Sequence, residues 1–281
     1  MAVVMGFNLV VALTERGGLL IFGETYESFI HENDDNDDDQ QLYFEPVLLG
    51  GVAQGAALEE AAPAAEHPFG GEAVLMLGGG DQHVCCLTDS GAVWVCGSNE
   101  EGQLGLGDEA RRALPVRWAD SVCGQSPVVM VACGGDTTVV LTAAKQVWAC
   151  GCGFSGQNSS PTWGNLSVPT RVPSLDNIVM VSAQDALAVA VDEDRLVWTW
   201  GSGNMPPDMY TPKKLEAAEF GGRAVVFVAS GNLECAAVTD KGVLWVWGMK
   251  HTAPDHPTIS MCPCGWAPRS WPPGGARGCA W

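Results

Sequence analysis

Four stretches of the chain repeat one order of apolar and polar positions. They are Leu87-Thr-Asp-Ser-Gly-Ala-Val-Trp94-Val-Cys-Gly97, Leu141-Thr-Ala-Ala-Lys-Gln-Val-Trp148-Ala-Cys-Gly151, Val191-Asp-Glu-Asp-Arg-Leu-Val-Trp198-Thr-Trp-Gly201 and Val238-Thr-Asp-Lys-Gly-Val-Leu-Trp245-Val-Trp-Gly248. Each runs ten residues from an aliphatic position to a closing Gly, with Trp three before that Gly. A weaker copy, Leu13 to Gly23, has Leu20 at the Trp position, and the closing glycines lie 74, 54, 50 and 47 residues apart. Upstream of the four main copies stands an apolar run: Ala73-Val-Leu-Met-Leu-Gly78, Val128-Val-Met-Val-Ala-Cys-Gly134, Ile178-Val-Met-Val-Ser-Ala183 and Val225-Val-Phe-Val-Ala-Ser230. A polar tip follows (Asp81, Asp136, Asp185, Asn232), then a second apolar run, a polar turn and the Trp segment.

That order predicts three short strands per unit. A fourth is expected around a proline beyond each closing Gly, at Pro46, Pro115, Pro169, Pro212 and Pro257, because a residue without an N–H suits an outer edge strand. Four antiparallel strands repeated about every fifty residues predict an all-β chain, a β-propeller with essentially no helix. The Trp series is expected in the core, with Trp200 and Trp247 on the opposite side of their strands, between blades.

The turns carry a more specific signal than the period. Gly97-Ser-Asn-Glu-Glu-Gly-Gln-Leu-Gly-Leu-Gly107, preceded by Gly79-Gly-Asp-Gln-His83 and Val93-Trp94, resembles the regulator of chromosome condensation repeat, and Gly151-Cys-Gly-Phe-Ser-Gly-Gln157 is a partial copy. The resemblance covers about residues 1–250; WD and kelch repeats fit less well. It implies a propeller that usually has seven blades, against five recognisable units here, which either close a small ring or form an open arc two blades short. It also implies protein partners, and the family includes a guanine-nucleotide exchange factor for a small GTPase. The domain is expected over 1–260, with an acidic loop inserted at about 31–41. Residues 261–281 form a tail out of keeping with the repeats, holding three Cys, three Trp, four Pro and no acid.

Composition narrows the function. With 14 basic against 33 acidic side chains, a net charge of −19, the chain is not built to hold a phosphate backbone, so no direct nucleic-acid ligand is expected. No apolar run is long enough to span a membrane. The opening Met1 to Leu13 lacks a basic start and a small-residue cleavage site and reads as a buried strand. Eleven Cys, with Cys85 and Cys86 adjacent, do not suit a disulfide framework and favour an intracellular protein, nuclear or cytoplasmic.

Catalytic signatures are missing from the sequence. The carboxylates Glu32, Asp34, Asp35, Asp37, Asp38 and Asp39 lack calcium-loop spacing, and Cys150-Gly-Cys152 and Cys262-Pro-Cys264 lack the spacing of structural zinc ligands. His83 is read as a turn-stabilising residue. Neither a nucleophile elbow nor a phosphate loop is present. The expectation is therefore no enzyme, no cofactor and no metal, but a protein-interaction module or scaffold; the alternative is an exchange factor for a small GTPase. In the best-preserved turn Gly97, Gly102, Gly105 and Gly107 are turn-makers with positive φ. Glu100 and Glu101, with Asp108 and Glu109 close behind, are the candidate partner-binding rim, because nothing in the turn requires adjacent carboxylates.

Overall fold

The computed structural model describes residues 69–154, 156, 158–159, 164–201, 211–232 and 234–248 in full, and the backbone alone of five further strands within 2–49 and 262–264. The acidic loop at 31–41, Pro257 and most of the 261–281 tail lie outside the described residues. Five four-stranded antiparallel sheets follow one another along the chain. Blade one is β1 (Ala2–Met5), β2 (Leu9–Leu13), β3 (Leu19–Gly23) and β4 (Val47–Leu49); blade two is β5 (Val74–Gly79), β6 (His83–Thr88), β7 (Val93–Gly97) and β8 (Arg112–Arg117). Blade three comprises β9 (Val128–Gly134), β10 (Thr137–Thr142), β11 (Val147–Gly151) and β12 (Leu166–Arg171), and blade four β13 (Ile178–Gln184), β14 (Leu187–Asp192), β15 (Val197–Gly201) and β16 (Lys213–Lys214). Blade five is β17 (Val225–Ser230), β18 (Glu234–Thr239), β19 (Leu244–Gly248) and β20 (Cys262–Cys264). Among the described residues the only helical pieces are two short 3-10 turns, at Val122–Gln125 and Ala217–Phe220.

The first strands β1, β5, β9, β13 and β17 neighbour one another around a common axis, and the fourth strands are outermost. Four of these carry, or directly follow, the proline expected there. In blade five β20 takes the outer place, pairing Pro263 with Trp245. The register repeats: His83 pairs with Gly97, Thr137 with Gly151, Leu187 with Gly201 and Glu234 with Gly248. One irregularity also repeats, a register shift in the inner strands of blades two to five, as between Val74 and Met76. The sheets do not close. Among the described residues no strand of blade five packs on blade one, so the chain is an open arc, an incomplete ring.

Burial follows from this stacking. β6, β10 and β14 are buried at every position, since each is covered on both faces by neighbouring blades. Odd positions such as Val139 and Leu141 pack on the following blade, against Ile178 and Val181. Even positions pack backward, as Val140 and Cys150 do against Val93 and Val95. The recurring Trp differs from the sequence expectation. Trp94, Trp148, Trp198 and Trp245 are half-buried at the blade flank, whereas Trp200 and Trp247 are the buried ones. Trp198 and Trp200 also share a face, both packing on blade three, because residues two apart in a strand point the same way. Trp94 and Trp245 cover the segments entering their own blades, edge-on to Phe69 at 5.7 Å and to Phe220 at 6.0 Å.

The closing glycine has a steric cause. Gly151 has φ +102°, and a Cβ there would lie 2.1 Å from the Asp136 carbonyl oxygen of the adjoining hairpin. Gly97, Gly102, Gly105 and Gly107 all have positive φ, as their role as turn-makers requires.

Candidate functional site

In blades two to four the hairpin joining the first and second strands reaches one end of the axis. The closing glycine lies opposite the start of the second strand, so in blades two and three the turn after it leaves at that same end. Neighbouring hairpins are tied together: Asp81 N–H donates to the Gly135 carbonyl at 2.9 Å, and a Cβ at Gly135 would meet the Asp185 carboxylate at 3.1 Å. The tips carry Asp81, Asp136, Asp185 and Asn232 and no Lys or Arg, and Glu234 opens the second strand of blade five. The three aspartates are half-buried.

Crowding of like charge adds to burial in the titration of Asp136 and Asp185. Burial is the main cause raising the Asp136 carboxyl above its ordinary range, and the negative charges of Asp81 and Glu101 add to it; His83 and Gln103 oppose it. Asp185 is raised for the same reasons, burial first and then Asp81. A desolvated carboxylate facing other carboxylates gains when an external cation arrives.

The Gly-Gln-Leu-Gly turn is built into this end. Gln103, buried, donates from Nε2 to Asp136 Oδ1 at 3.0 Å and accepts the Glu101 N–H at 3.0 Å. Thr138 donates its hydroxyl proton to the Gln103 carbonyl at 2.8 Å. His83 Nε2, 2.9 Å from that hydroxyl, must therefore be the N–H bearer. His83 thus joins blade two to blade three instead of stabilising its own turn.

The sequence-predicted rim divides. Glu101 sits beside Asp136, its carboxylate accepting a bond from Asn165 Nδ2, so it belongs to the axial acidic surface. Glu100 and Glu109 are exposed further out. Asp108 is engaged locally: Arg112 pairs with it at 2.6 Å, Asn99 and the Ala110 N–H also donate to it, and its carboxyl is held below the ordinary range, by Arg112 first. The three tip aspartates were visible only as polar tips. Their shared column in the repeat alignment was the signal that they meet.

The opposite end differs. Its turns mix Lys145, Arg195 and Lys241 with Asp89, Glu193 and Asp240, and Lys145 pairs with Glu193 across blades. A groove of about 220 Å³ there, between blades two and three, is lined by Arg117 and Asp120, which are already paired at 2.6 Å. Among the described residues no group of three or more His, Cys, Asp and Glu could hold a metal ion. Among the described residues no cysteine forms a disulfide, and burial pushes Cys96, Cys123 and Cys235 up to about 12.

Radial four-stranded blades around an axis, with hairpin tips gathered at one end, define a β-propeller repeat protein. Residues 90–141 and 128–157 match the regulator of chromosome condensation (RCC1) repeat, so this stretch of blades two and three carries that repeat. It is 34% identical over 132 residues to the bovine secretion-regulating guanine nucleotide exchange factor, covering 46% of this chain and 28% of the relative. The human regulator of chromosome condensation is 35% identical over 119 residues, 41% of this chain and 27% of that protein. The crystal structure of human WBSCR16 superposes with a TM-score of 0.69 at 21% identity, covering 89% of this chain and 61% of that one; the fold is shared. The chain thus spans under a third of these two curated relatives.

Proposed function

We propose that the chain is a non-catalytic protein-interaction module whose acidic axial end receives a basic segment of a partner protein. The observation that carries this reading is the convergence of Asp81, Asp136, Asp185 and Glu101 at one end of the axis without a Lys or Arg on the tips, while the other end is charge-mixed. Aspartates held above their ordinary range represent stability given up locally, a common signature of a binding surface. Glu100 and Glu109 extend the field outward, adding to encounter rate more than to affinity. Largely buried cysteines, with no disulfide among the described residues, support an intracellular setting.

Exchange on a small GTPase is the second reading, favoured by the identity with a protein named as a guanine nucleotide exchange factor. Two measurements separate the readings. A lysine- and arginine-rich peptide should bind the immobilised chain with affinity falling about tenfold between low and physiological salt, and Asp81→Asn with Asp136→Asn should abolish that binding. Nucleotide release from a panel of small GTPases should be unchanged by the chain. Binding that survives the double substitution removes the axial end from consideration; accelerated release replaces the module reading with the exchange reading.

A further inference from the structure

Cys85 of β6 and Cys133 of β9 are buried together in the seam between blades two and three, 0% and 4% exposed. Their side chains hydrogen-bond to one another. Gly78, the cross-strand partner of Cys85, makes the room: a Cβ there would lie 2.8 Å from Cys133 Sγ and 3.4 Å from the Cys133 backbone nitrogen. The two blades therefore run close enough at this point for two short side chains to span the seam. By strand register the same two positions are held by Val139 and Ala183 between blades three and four. Between blades four and five they are Val189 and Ser230. Aliphatic or small residues fill the place elsewhere, so packing does not account for a thiol on both sides.

The two thiols differ in acidity. The bond from Cys85 is the main cause holding the Cys133 thiol below its ordinary range; burial opposes it, and His83 adds to the lowering. Cys85 is raised, by the same bond and then by burial. His83 is fully buried, its Nε2 bonded to the Thr138 hydroxyl and its Nδ1 without a hydrogen-bond partner among the described residues. That hydroxyl also lies 3.9 Å from Cys133 Sγ. One thiol is thus set to lose its proton and the other to stay protonated beside it, the division of labour between an attacking and a resolving cysteine. The neighbouring cysteines are placed otherwise. Cys150 donates to the Gln103 carbonyl at 3.5 Å, Cys86 points to the other face of β6, and burial raises both.

We propose that Cys85 and Cys133 are a hydroperoxide-sensitive thiol pair that closes a reversible disulfide across the seam and locks blade two to blade three. The Cys133 sulfur attacks one oxygen of the hydroperoxide. The O–O bond breaks, the thiol proton leaves with the departing oxygen, and Cys133 becomes a sulfenic acid. The Cys85 sulfur then attacks the Cys133 sulfur; the S–S bond forms, the S–O bond breaks, and the Cys85 proton departs with the hydroxyl as water. Two thiols and one hydroperoxide give one disulfide, one alcohol (water, from hydrogen peroxide) and one water. A thiol reductant reopens the bridge by exchange. Burial selects the oxidant: hydrogen peroxide is little larger than water, whereas a bulky disulfide has no path to two covered thiols. The bridge closes the loop from residue 85 to 133 and joins two sheets, so it opposes their separation.

Hydrogen peroxide applied to the reduced full chain tests this, followed by proteolysis without reductant and mass spectrometry. Peptides carrying Cys85 and Cys133 should appear joined, two hydrogens lighter than their sum, and should separate again in a thiol reductant. The bridged chain should unfold at higher urea than the reduced chain, with an unchanged circular dichroism spectrum. Cys133→Ser and Cys85→Val, which install residues that other seams hold at these positions, should each abolish the joined peptide and the shift in urea midpoint. Cys86→Ser should keep both. Absence of the joined peptide from the folded parent overturns the proposal, as does a bridge from Cys133 to Cys86 or Cys150, or joining that occurs only in urea. A Cys85–Cys133 bridge that leaves the urea midpoint where it was refutes the lock.

Discussion

Asp136→Asn should make the protein more stable and its acidic end less able to bind. The substitution keeps the shape of the side chain and an oxygen to accept the bond from Gln103 Nε2, now 3.0 Å, while removing a half-buried charge that faces Asp81 and Glu101. At several ångströms, in a partly solvated site, each such repulsion is worth about 0.5–1 kcal/mol. Against this stands the weakening of one hydrogen bond that loses its ionic partner, about 0.5 kcal/mol, and the loss of the attraction of His83. The net expectation is a gain of about 0.5–1 kcal/mol at neutral pH, a rise of about 1–4 °C in midpoint for a chain of this size. The sign of the pH dependence follows from the raised carboxyl. Between the ordinary value of 3.8 and the higher folded value the native state binds the extra proton, so the wild type loses stability as pH rises through that window. Asn does not titrate, so the variant should match the wild type below about pH 4 and exceed it above. Thermal melts at pH 3.5, 5 and 7, with peptide binding on the same samples, decide the matter. A variant less stable than wild type at pH 7, or a gain equal at pH 3.5 and 7, would refute the reasoning.

Three other substitutions or treatments probe the frame. Asp192 accepts bonds from the Trp198 indole at 3.0 Å and the Leu196 N–H at 2.9 Å, and pairs with Lys214 at 3.1 Å; burial opposes its ionisation, but these contacts outweigh it and lower the carboxyl. Asp192→Thr, the residue blades two, three and five use (Thr88, Thr142, Thr239), should destabilise by about 1.5–3 kcal/mol at pH 7, a loss that denaturant titration should find shrinking as pH falls below 3.8 and Asp192 of the wild type protonates. Trp200→Ala opens a cavity in the seam between blades three and four, where the side chain is 1% exposed, and should cost about 3–5 kcal/mol by the same titration. Cys96, Cys123 and Cys235, pushed up to about 12 by burial, should resist an aromatic disulfide reagent at pH 8 until the chain unfolds; labelling at the rate of a free thiol, mapped by mass spectrometry, contradicts that burial.

The frame was legible because it is written many times over. Ten residues from the aliphatic position to Gly, with Trp at a constant place, specify a strand pair and its register, and Gly97, Gly151 and Gly201 each mark a backbone approach that no side chain tolerates. Pro46, Pro115, Pro169 and Pro212 announced outer strands correctly for the reason given, the missing N–H. Two readings failed on geometry. Trp198 and Trp200 were assigned to opposite faces although a two-residue spacing places them together. His83 was given a local role, yet its partner Thr138 is 55 residues away and comes near only when blades stack.

The candidate site was less legible for a related reason. Glu100, Glu101, Asp108 and Glu109 stand out because they are neighbours in sequence, but nearness in sequence also lets Arg112 neutralise Asp108 within a single turn. Asp81, Asp136 and Asp185 are about fifty residues apart, and only the radial arrangement of blades makes them a surface. Tip residues neither fill a seam nor set a register, and nothing in the packing of β5–β6 or β9–β10 requires a carboxylate between them. By the balance of interactions at Asp136, the fold should gain net stability from losing one of these charges. Three half-buried aspartates lie at one end, Asp136 bonded to the turn that carries Glu101, and the proposed cationic segment is a ligand that would relieve all of them at once.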